Sequence, residues 1–365
     1  MTIPNLSIFK KPKILIIFLL ALLVAFLLVL KLLKKARPAL PPISPPPLAQ
    51  TRHSTSLTPN TDLLRGQFSS FPKSLSVYQI EPFAFSETQA VSFAQKLGFN
   101  QEPILSPQTT QGQFFNWDNG ESYLSINSQT GAIDFGQYPQ SLLKKDKGQA
   151  PSSQEAQNTA TKFLKENQLE IPNASFILKQ STPLTPAGNY LKESSPDAAP
   201  FLALYYEIQV SNIKIFLNKP EETPLSFILD SDLNIISLNY LPPFKSLTSQ
   251  TAYPLKTETQ VLSELKENFK IDSLSISGKP YLTFNDYQRL TSLSLSTITL
   301  VYFPSSPQNS LQPIFLVKGE GLTKDGQKAE TTTLLPAVAS EYLTPSAPSP
   351  SPTQTNTPQS RFQAE

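Results

Sequence analysis

The sequence predicts an α+β protein: a single N-terminal transmembrane helix, a Pro-rich stalk, and then repeated units of helix plus antiparallel sheet. Three observations carry this. The run Ile14 to Leu30 holds no charge, no proline and no polar side chain. Capping boxes stand at Ser86-Glu87-Thr88-Gln89, Ser152-Ser153-Gln154-Glu155 and Thr257-Glu258-Thr259-Gln260. In each, the Ser or Thr oxygen accepts from an orphan helix N–H and the residue three positions on reaches back. Apolar residues at helical spacing follow every box, and short strand-like runs broken at turns follow every helix.

The apolar run comes first. As a helix its seventeen residues cover about 25 Å, just short of a ~30 Å hydrocarbon core. Leu32 and Leu33 extend it past Lys31, whose stem can snorkel. Residues 14–33 therefore read as the membrane helix and 1–13 as a short cytoplasmic segment. The run exceeds the ~7–15 apolar residues of a cleaved signal peptide, and Lys34-Lys35-Ala36-Arg37-Pro38 is a poor cleavage site, so an uncleaved signal-anchor is expected. Lys10, Lys11 and Lys13 on one flank nearly balance Lys31, Lys34, Lys35 and Arg37 on the other, so basic residues alone do not choose an orientation. The Pro-rich spacer and the charge-poor remainder place the bulk outside: a single-pass protein of the cell membrane, mostly extracytoplasmic.

Pro38, Pro41, Pro42, Pro45, Pro46, Pro47 and Pro59 punctuate the stalk, assigned to 34–66. Such a stretch favours extended polyproline II and builds no core. The only histidine, His53, falls here. The first α+β unit is assigned to 67–150. Its helix carries Ala90, Phe93, Ala94 and Leu97 on one face and stops at Gly98. Gln113–Trp117 and Tyr123–Ile126 flank Asp118-Asn119-Gly120, a hairpin signal because Asn-Gly accepts positive φ. Gln129-Thr130-Gly131 turns the chain again before Ala132–Phe135. Trp117 is expected to pack under this hairpin.

The second and third units are assigned to 151–343. Ala156, Ala160, Phe163 and Leu164 line the second helix, and a polar, proline-containing loop is expected over 180–200. Phe201–Val210 reads as a long strand turning at Ser211-Asn212 into Ile213–Leu217, and Pro224–Leu229 pairs with Ile235–Asn239 around residues 230–234. The third helix carries Val261, Leu262, Leu265 and Phe269. Strands are expected at Tyr281–Phe284, Thr297–Phe303, Pro313–Lys318 and Thr331–Leu335, the last two joined at Lys324-Asp325-Gly326-Gln327. From 344 to 365 Pro, Ser, Thr and Gln dominate, the composition of a disordered tail.

Several chemistries lack their residues. Formal net charge is +2, and basic residues cluster beside the apolar run, which argues against a nucleic-acid partner. There is no cysteine, and a lone histidine in the stalk leaves no base for a serine triad. Gly319-Glu320-Gly321 lacks the third glycine of a dinucleotide loop. Asp230-x-Asp232-x-Asn234 copies the first ligands of a calcium loop, but Ile235 and Leu241 stand where that loop needs Gly and Glu, so the stretch reads as an Asx-rich turn. No spacing recommends a pair of carboxylates. The expectation is a non-enzyme with no catalytic, cofactor-binding or metal residues and no cofactor.

Phe227-Ile228-Leu229-Asp230 through Asn234-Ile235-Ile236-Ser237, followed by Tyr253-Pro254-Leu255 before a capped helix, resembles the PepSY-type fold and, more closely, the extracytoplasmic YycH/YycI-like regulators. Gln312-Pro313-Ile314-Phe315-Leu316-Val317 leading to Leu335-Pro336-Ala337-Val338 is similar too. The resemblance covers about 110–340, with Asn234 where such hairpins often carry glycine. It implies one membrane helix, an exported α+β region and action by contact with a membrane sensor kinase; the wider PepSY group is associated with restraining peptidases. The expected function is a membrane-anchored extracytoplasmic interaction module with an envelope protein partner. The alternatives are a structural envelope or surface-assembly component and, third, an envelope-acting hydrolase.

Overall fold

The computed structural model describes residues 22, 40–48, 53–54, 57–110, 112–143, 148–188, 190–217, 223–267, 269–276, 278–281, 289–305 and 308–344. The chain divides into Met1–Pro42 and Ile43–Glu365. Of the first unit only Leu22 and residues 40–42 are described. The cytoplasmic segment 1–13, the membrane helix expected at 14–33 apart from Leu22, and the tail after Thr344 lie outside the described residues. Among the described residues no helix is long and apolar enough to cross a membrane.

In the second unit the labelled elements are, in chain order, β1 (Ser74–Glu81), α1 (Glu87–Lys96), β2 (Ile104–Leu105), β3 (Phe114–Asp118), β4 (Ser122–Asn127), β5 (Ile133–Gln137), α2 (Ser153–Glu166), β6 (Ser175–Ala187), β7 (Tyr190–Glu193), β8 (Phe201–Val210), β9 (Leu225–Asp230), β10 (Ile235–Tyr240), β11 (Ser246–Pro254), α3 (Glu258–Glu267), β12 (Ser273–Ile276), β13 (Leu290–Ser305), β14 (Ser310–Thr323) and β15 (Lys328–Pro336). One sheet of ten strands runs β2-β3-β4-β5-β10-β9-β8-β6-β7, with Ile213–Lys214 added to β8. A second, of seven, runs β11-β1-β14-β15-β12 and on to Lys279–Tyr281, with β13 along the other edge of β14. All their ladders are antiparallel.

This corrects the expected fold class. Predominantly antiparallel sheet, with no membrane-crossing helix among the described residues, replaces a transmembrane helix followed by repeated helix-plus-sheet units. Strands of the first two expected units merge through β5 and β10, where Ile133 stands opposite Tyr240 and Gly136 opposite Ser237. β1 leaves the first unit altogether and pairs with β11 and β14. Capping and periodicity report local preference, whereas an unpaired strand edge takes whatever partner the tertiary fold brings to it.

The local signals themselves hold. Ser86 Oγ accepts from the Gln89 N–H and Gln89 Oε1 accepts from the Ser86 N–H; Ser152 with Glu155 and Thr257 with Gln260 repeat the arrangement. α1 ends at Gly98, whose φ of +90° lets the Phe99 N–H reach the Ala94 carbonyl. α2 ends the same way at Gln168, with the Leu169 N–H donating to the Leu164 carbonyl. Trp117 is buried under the hairpin and its Nε1–H donates to the Gln101 carbonyl at 3.0 Å.

Most of the loop expected over 180–200 is instead the second half of β6 together with β7, and a short 3-10 turn at Pro196–Ala198 follows. Pro183 and Pro186 mislead here because proline removes only the donor. The Pro183 carbonyl still accepts from the Ser194 N–H. The stalk also differs from expectation. Pro46 is buried, Leu48 packs on the Val301–Phe303–Ile314 cluster, and Gln308 and Gln312 donate to the carbonyls of Pro45 and Ser44. Leu64 is fully buried and, with Phe68 and Phe71, covers the seven-stranded sheet. A stretch with few backbone donors is still able to pack once neighbouring side chains satisfy its carbonyls.

α1 and α2 lie on one face of the ten-stranded sheet. They bring Ala90, Ala94, Ala156 and Ala160 close to it, and Phe99, Phe115, Trp117, Phe135, Phe227 and Tyr240 fill the space that those alanines leave. The opposite face carries a polar row at matched register across the strands: Asn116, Ser125, Asp134, Asn239, Ser226 and Tyr205. The same face is not wet throughout: Leu184, Phe201, Ala203 and Ile236 form a buried cluster on it with Leu142, and Tyr205 packs at its border.

Candidate functional site

An open groove of about 830 Å³ runs along α1 from Thr88 to Lys96 and meets the C-terminal end of α2 at Lys165. Phe83, Phe85 and Phe93 form its apolar floor; Lys96, Lys165 and Lys245 reach its rim, with Glu170 the acidic group lining it.

Each wall has a local cause. Phe85 stands immediately before the Ser86 cap, where an apolar residue packs back on the first turns and fixes the entry of the chain. Its ring centroid is 6.3 Å from that of Phe93, and its N–H donates to the Ser128 carbonyl. Phe83 stacks at 5.3 Å from Phe85 and lies directly on Gly131. A Cβ at residue 131 would overlap the Phe83 ring, and φ there is +66°, so glycine is required twice over. The far wall, Leu169 to Pro172, is pinned by the Tyr240 hydroxyl, which donates to the Leu169 carbonyl at 2.9 Å.

The lysines divide by environment. Lys245 meets Glu81 at 3.0 Å, and Ser246 donates to the same carboxylate; the Ser246 hydrogen bond and then Lys245 hold Glu81 below its ordinary carboxylate range. Lys96 donates to the Glu166 carbonyl at 3.4 Å, and Lys165 lies in the last turn of α2. Both also offset the partial negative charge of the helix ends. The floor continues inward as a series of edge contacts: Phe93 to Phe163, Phe163 to Phe227, Phe227 to Tyr206. Neither Phe83 nor Phe85 was singled out by the sequence. The signal available was Phe-x-Phe ahead of a capping box.

The acids singled out by the sequence do not form a metal site. Asp230 is buried, and its Oδ1 accepts from the N–H groups of Asp232 and Asn234 at 3.0 and 2.8 Å, while the Asn234 amide donates to both carboxylate oxygens. The turn takes up the carboxylate, as the Asx reading expects. Among the described residues no group of three or more His, Cys, Asp or Glu could hold a metal ion.

One other pair of acids has divergent environments. Tyr138 donates to Asp118 at 2.7 Å and holds that carboxyl below its usual range, whereas burial raises Asp134 beside Tyr123. The two tyrosine rings lie 5.8 Å apart. These groups stand on the sheet face away from α1 and α2 and do not line the groove, so they lack the enclosure that acid–base chemistry uses.

No protein-family model matches this chain, and no curated protein matches it in sequence.

Proposed function

We propose that this protein is a non-enzymatic, membrane-attached extracytoplasmic interaction module that docks a segment of an envelope protein in the α1–α2 groove. The single observation that carries the reading is the groove's construction: aromatic rings on a rigid floor, lysines on the rim and an open top. Aromatic anchors in a desolvated centre with a polar rim are what protein interfaces use. The occupant has complementary chemistry, an apolar side chain against Phe83 and Phe85 with carboxylates toward Lys96 and Lys165. The support for membrane attachment is the apolar run Ile14–Leu30. The strand–turn–strand resemblance to PepSY and YycH/YycI-like proteins suggests a membrane sensor kinase or a peptidase as the partner.

The test is a photo-crosslinking residue at Ser92 in intact cells, with Phe85→Ala and Lys165→Glu as companions and Glu330 on the other sheet as a control position. A sensor kinase or peptidase captured from Ser92 and lost in both companions supports the reading. Equal capture from Glu330, or capture insensitive to both changes, overturns it.

A structural assembly role is the second reading. It is favoured by the open edge of the ten-stranded sheet, where Ile104, Leu105 and Phe114 are 68, 47 and 37 % exposed. An apolar edge strand is a template for strand pairing between copies. A concentration-dependent assembly abolished by Ile104→Lys would favour this role over the first.

A further inference from the structure

A ring and a carboxylate are what the α1–α2 groove asks of an occupant, and a stretch of this chain outside the described residues carries both. From Thr344 to Ser360 the chain holds no charged and no aromatic residue. Composition then changes abruptly, at Arg361-Phe362-Gln363-Ala364-Glu365. Phe362 is the only aromatic after Tyr342, and Glu365 the only acid after Glu341. A spacer without anchors followed by one ring and two opposite charges is how a tethered ligand is written in sequence.

Each of these groups has a counterpart in the groove. The half-buried rings of Phe83 and Phe85 offer Phe362 an aromatic floor. Lys96 and Lys165 on the rim suit Glu365, and Glu170, the acid lining the groove, suits Arg361. Exposed lysines add little affinity by themselves, so the ring is the anchor and the charges set its direction. The spacing agrees. Thr88 to Lys96 covers about 12 Å along α1, and Phe362 to Glu365 in extended chain covers about 10 Å.

The stretch is also tethered within reach. The Tyr342 ring meets Tyr253 at 6.0 Å, and the Ala339 N–H donates to the Pro254 carbonyl, so the chain leaves the seven-stranded sheet beside the Pro254 end of β11. Lys245 and Ser246 of the groove stand at the other end of that strand. β11 has nine residues, which makes the span about 26 Å. The chain from Thr344 to Phe362 extends to at most about 60 Å, more than enough to cross it. A linker that exceeds its span holds the ligand near the site at an effective concentration on the order of 1 mM.

We propose that residues 361–365 occupy the groove of their own chain, with Phe362 on the Phe83–Phe85 floor, and that a partner segment binds by displacing them. This rests on the groove being a docking site, as read above, and adds a competitor built into the chain. Partner affinity is then reduced by the fraction of molecules whose groove is filled.

The chain has no cysteine, so introduced thiols report without background. Disulfide formation is followed in the full-length protein in phosphatidylcholine nanodiscs under a glutathione buffer. Ser92→Cys with Gln363→Cys is compared with Glu330→Cys with Gln363→Cys; Ser92 lines the groove, and Glu330 is exposed on the other sheet. The Ser92 pair should close within one chain about ten-fold faster than the Glu330 pair, and Phe362→Ala should remove the difference. Equal rates, a disulfide formed only between copies, or a rate untouched by Phe362→Ala overturns the proposal. Photo-capture from Ser92, compared between the full chain and one ending at Ser360, separates this from the docking reading. Capture that rises several-fold in the shorter chain supports displacement, whereas unchanged capture overturns it and leaves the docking reading in place. No capture from either chain, beside a disulfide that depends on Phe362, supports the seat of residues 361–365 and defeats the docking of a partner.

Discussion

The two sheets solve the problem of covering an apolar face with different materials. The ten-stranded sheet has two helices over it, and its core includes Phe93, Phe99, Phe115, Trp117, Phe135, Tyr206, Phe227 and Tyr240. The seven-stranded sheet has only α3, and the cluster on that face is chiefly Leu, Ile and Val, with Phe269 and Phe315 as its buried rings; its other buried rings, Tyr78, Tyr302 and Phe303, lie in separate clusters. One helix does not span that face. Leu64, Phe68 and Phe71 from the segment ahead of β1 complete it, and Phe68 and Phe71 both meet the Phe315 ring edge-on or tilted, at 5.9 and 5.6 Å. The seven-stranded side also contains a buried ion pair, Lys256 with Glu264 at 2.6 Å, the lysine side chain 3 % exposed. Where helices are plentiful their alanines let rings fill the core; where they are scarce, an irregular segment and an ion pair finish the cover.

The sharpest way to break this comparison is at the centre of the aromatic side. Phe227 is fully buried between Phe163 and Tyr206. Phe227→Ala should destabilise by about 4 kcal/mol through lost transfer energy and a cavity. Urea denaturation followed by the fluorescence of Trp117, the only tryptophan, measures it. A loss under 1 kcal/mol would mean that this core is not the stabilising one.

On the other side, Glu264→Ala should cost about 3 kcal/mol, because it strands a buried ammonium rather than merely deleting an exposed pair. The double change Lys256→Met with Glu264→Leu should recover most of that loss, which a simple packing defect at α3 would not do. Leu64→Ala asks whether the segment ahead of β1 is cover or spacer. As cover it should lose about 3 kcal/mol; as spacer, an amount too small to measure.

Alkaline pH gives a smaller effect. Burial raises the phenol of Tyr206 to about 12, above its unfolded value of about 10. The folded state therefore keeps a proton that the unfolded state gives up between those values, and stability falls as pH rises through that window. Tyr206 alone should account for about 1 kcal/mol by pH 11. The difference in unfolding free energy between pH 9 and pH 11 should shrink accordingly in Tyr206→Phe. Of similar size, Ser152→Ala on α2 and Thr257→Ala on α3 should each cost about 1 kcal/mol of denaturation free energy. Equal losses would show that the two helices are capped alike although their sheets are covered differently.

Local chemistry was legible from the residues. The three capping boxes, the stop at Gly98, the turns at Gly120 and Ser211-Asn212 and the closed turn at Asp230 all depend on contacts within a few positions in sequence. The groove was not legible, because Phe83, Lys165 and Lys245 are far apart in the chain and meet only when Phe83 settles on Gly131 and the ends of α1 and α2 are placed side by side.

Sequence by itself determined where the three capped helices begin, which turns follow the Trp117 and Leu229 strands, and which chemistries lack their groups: no thiol anywhere, and a lone histidine at residue 53. Tertiary structure alone decided that β5 pairs with β10, that β1 crosses to the second sheet, and that the prolines around residue 45 are packed on that sheet. The reason is the range of the forces. Caps and turns are settled by dihedral preference and hydrogen bonds between near neighbours. Strand partners and covers are settled by which unpaired edge and which bare apolar face remain once the local pieces have formed, and no single segment carries that information.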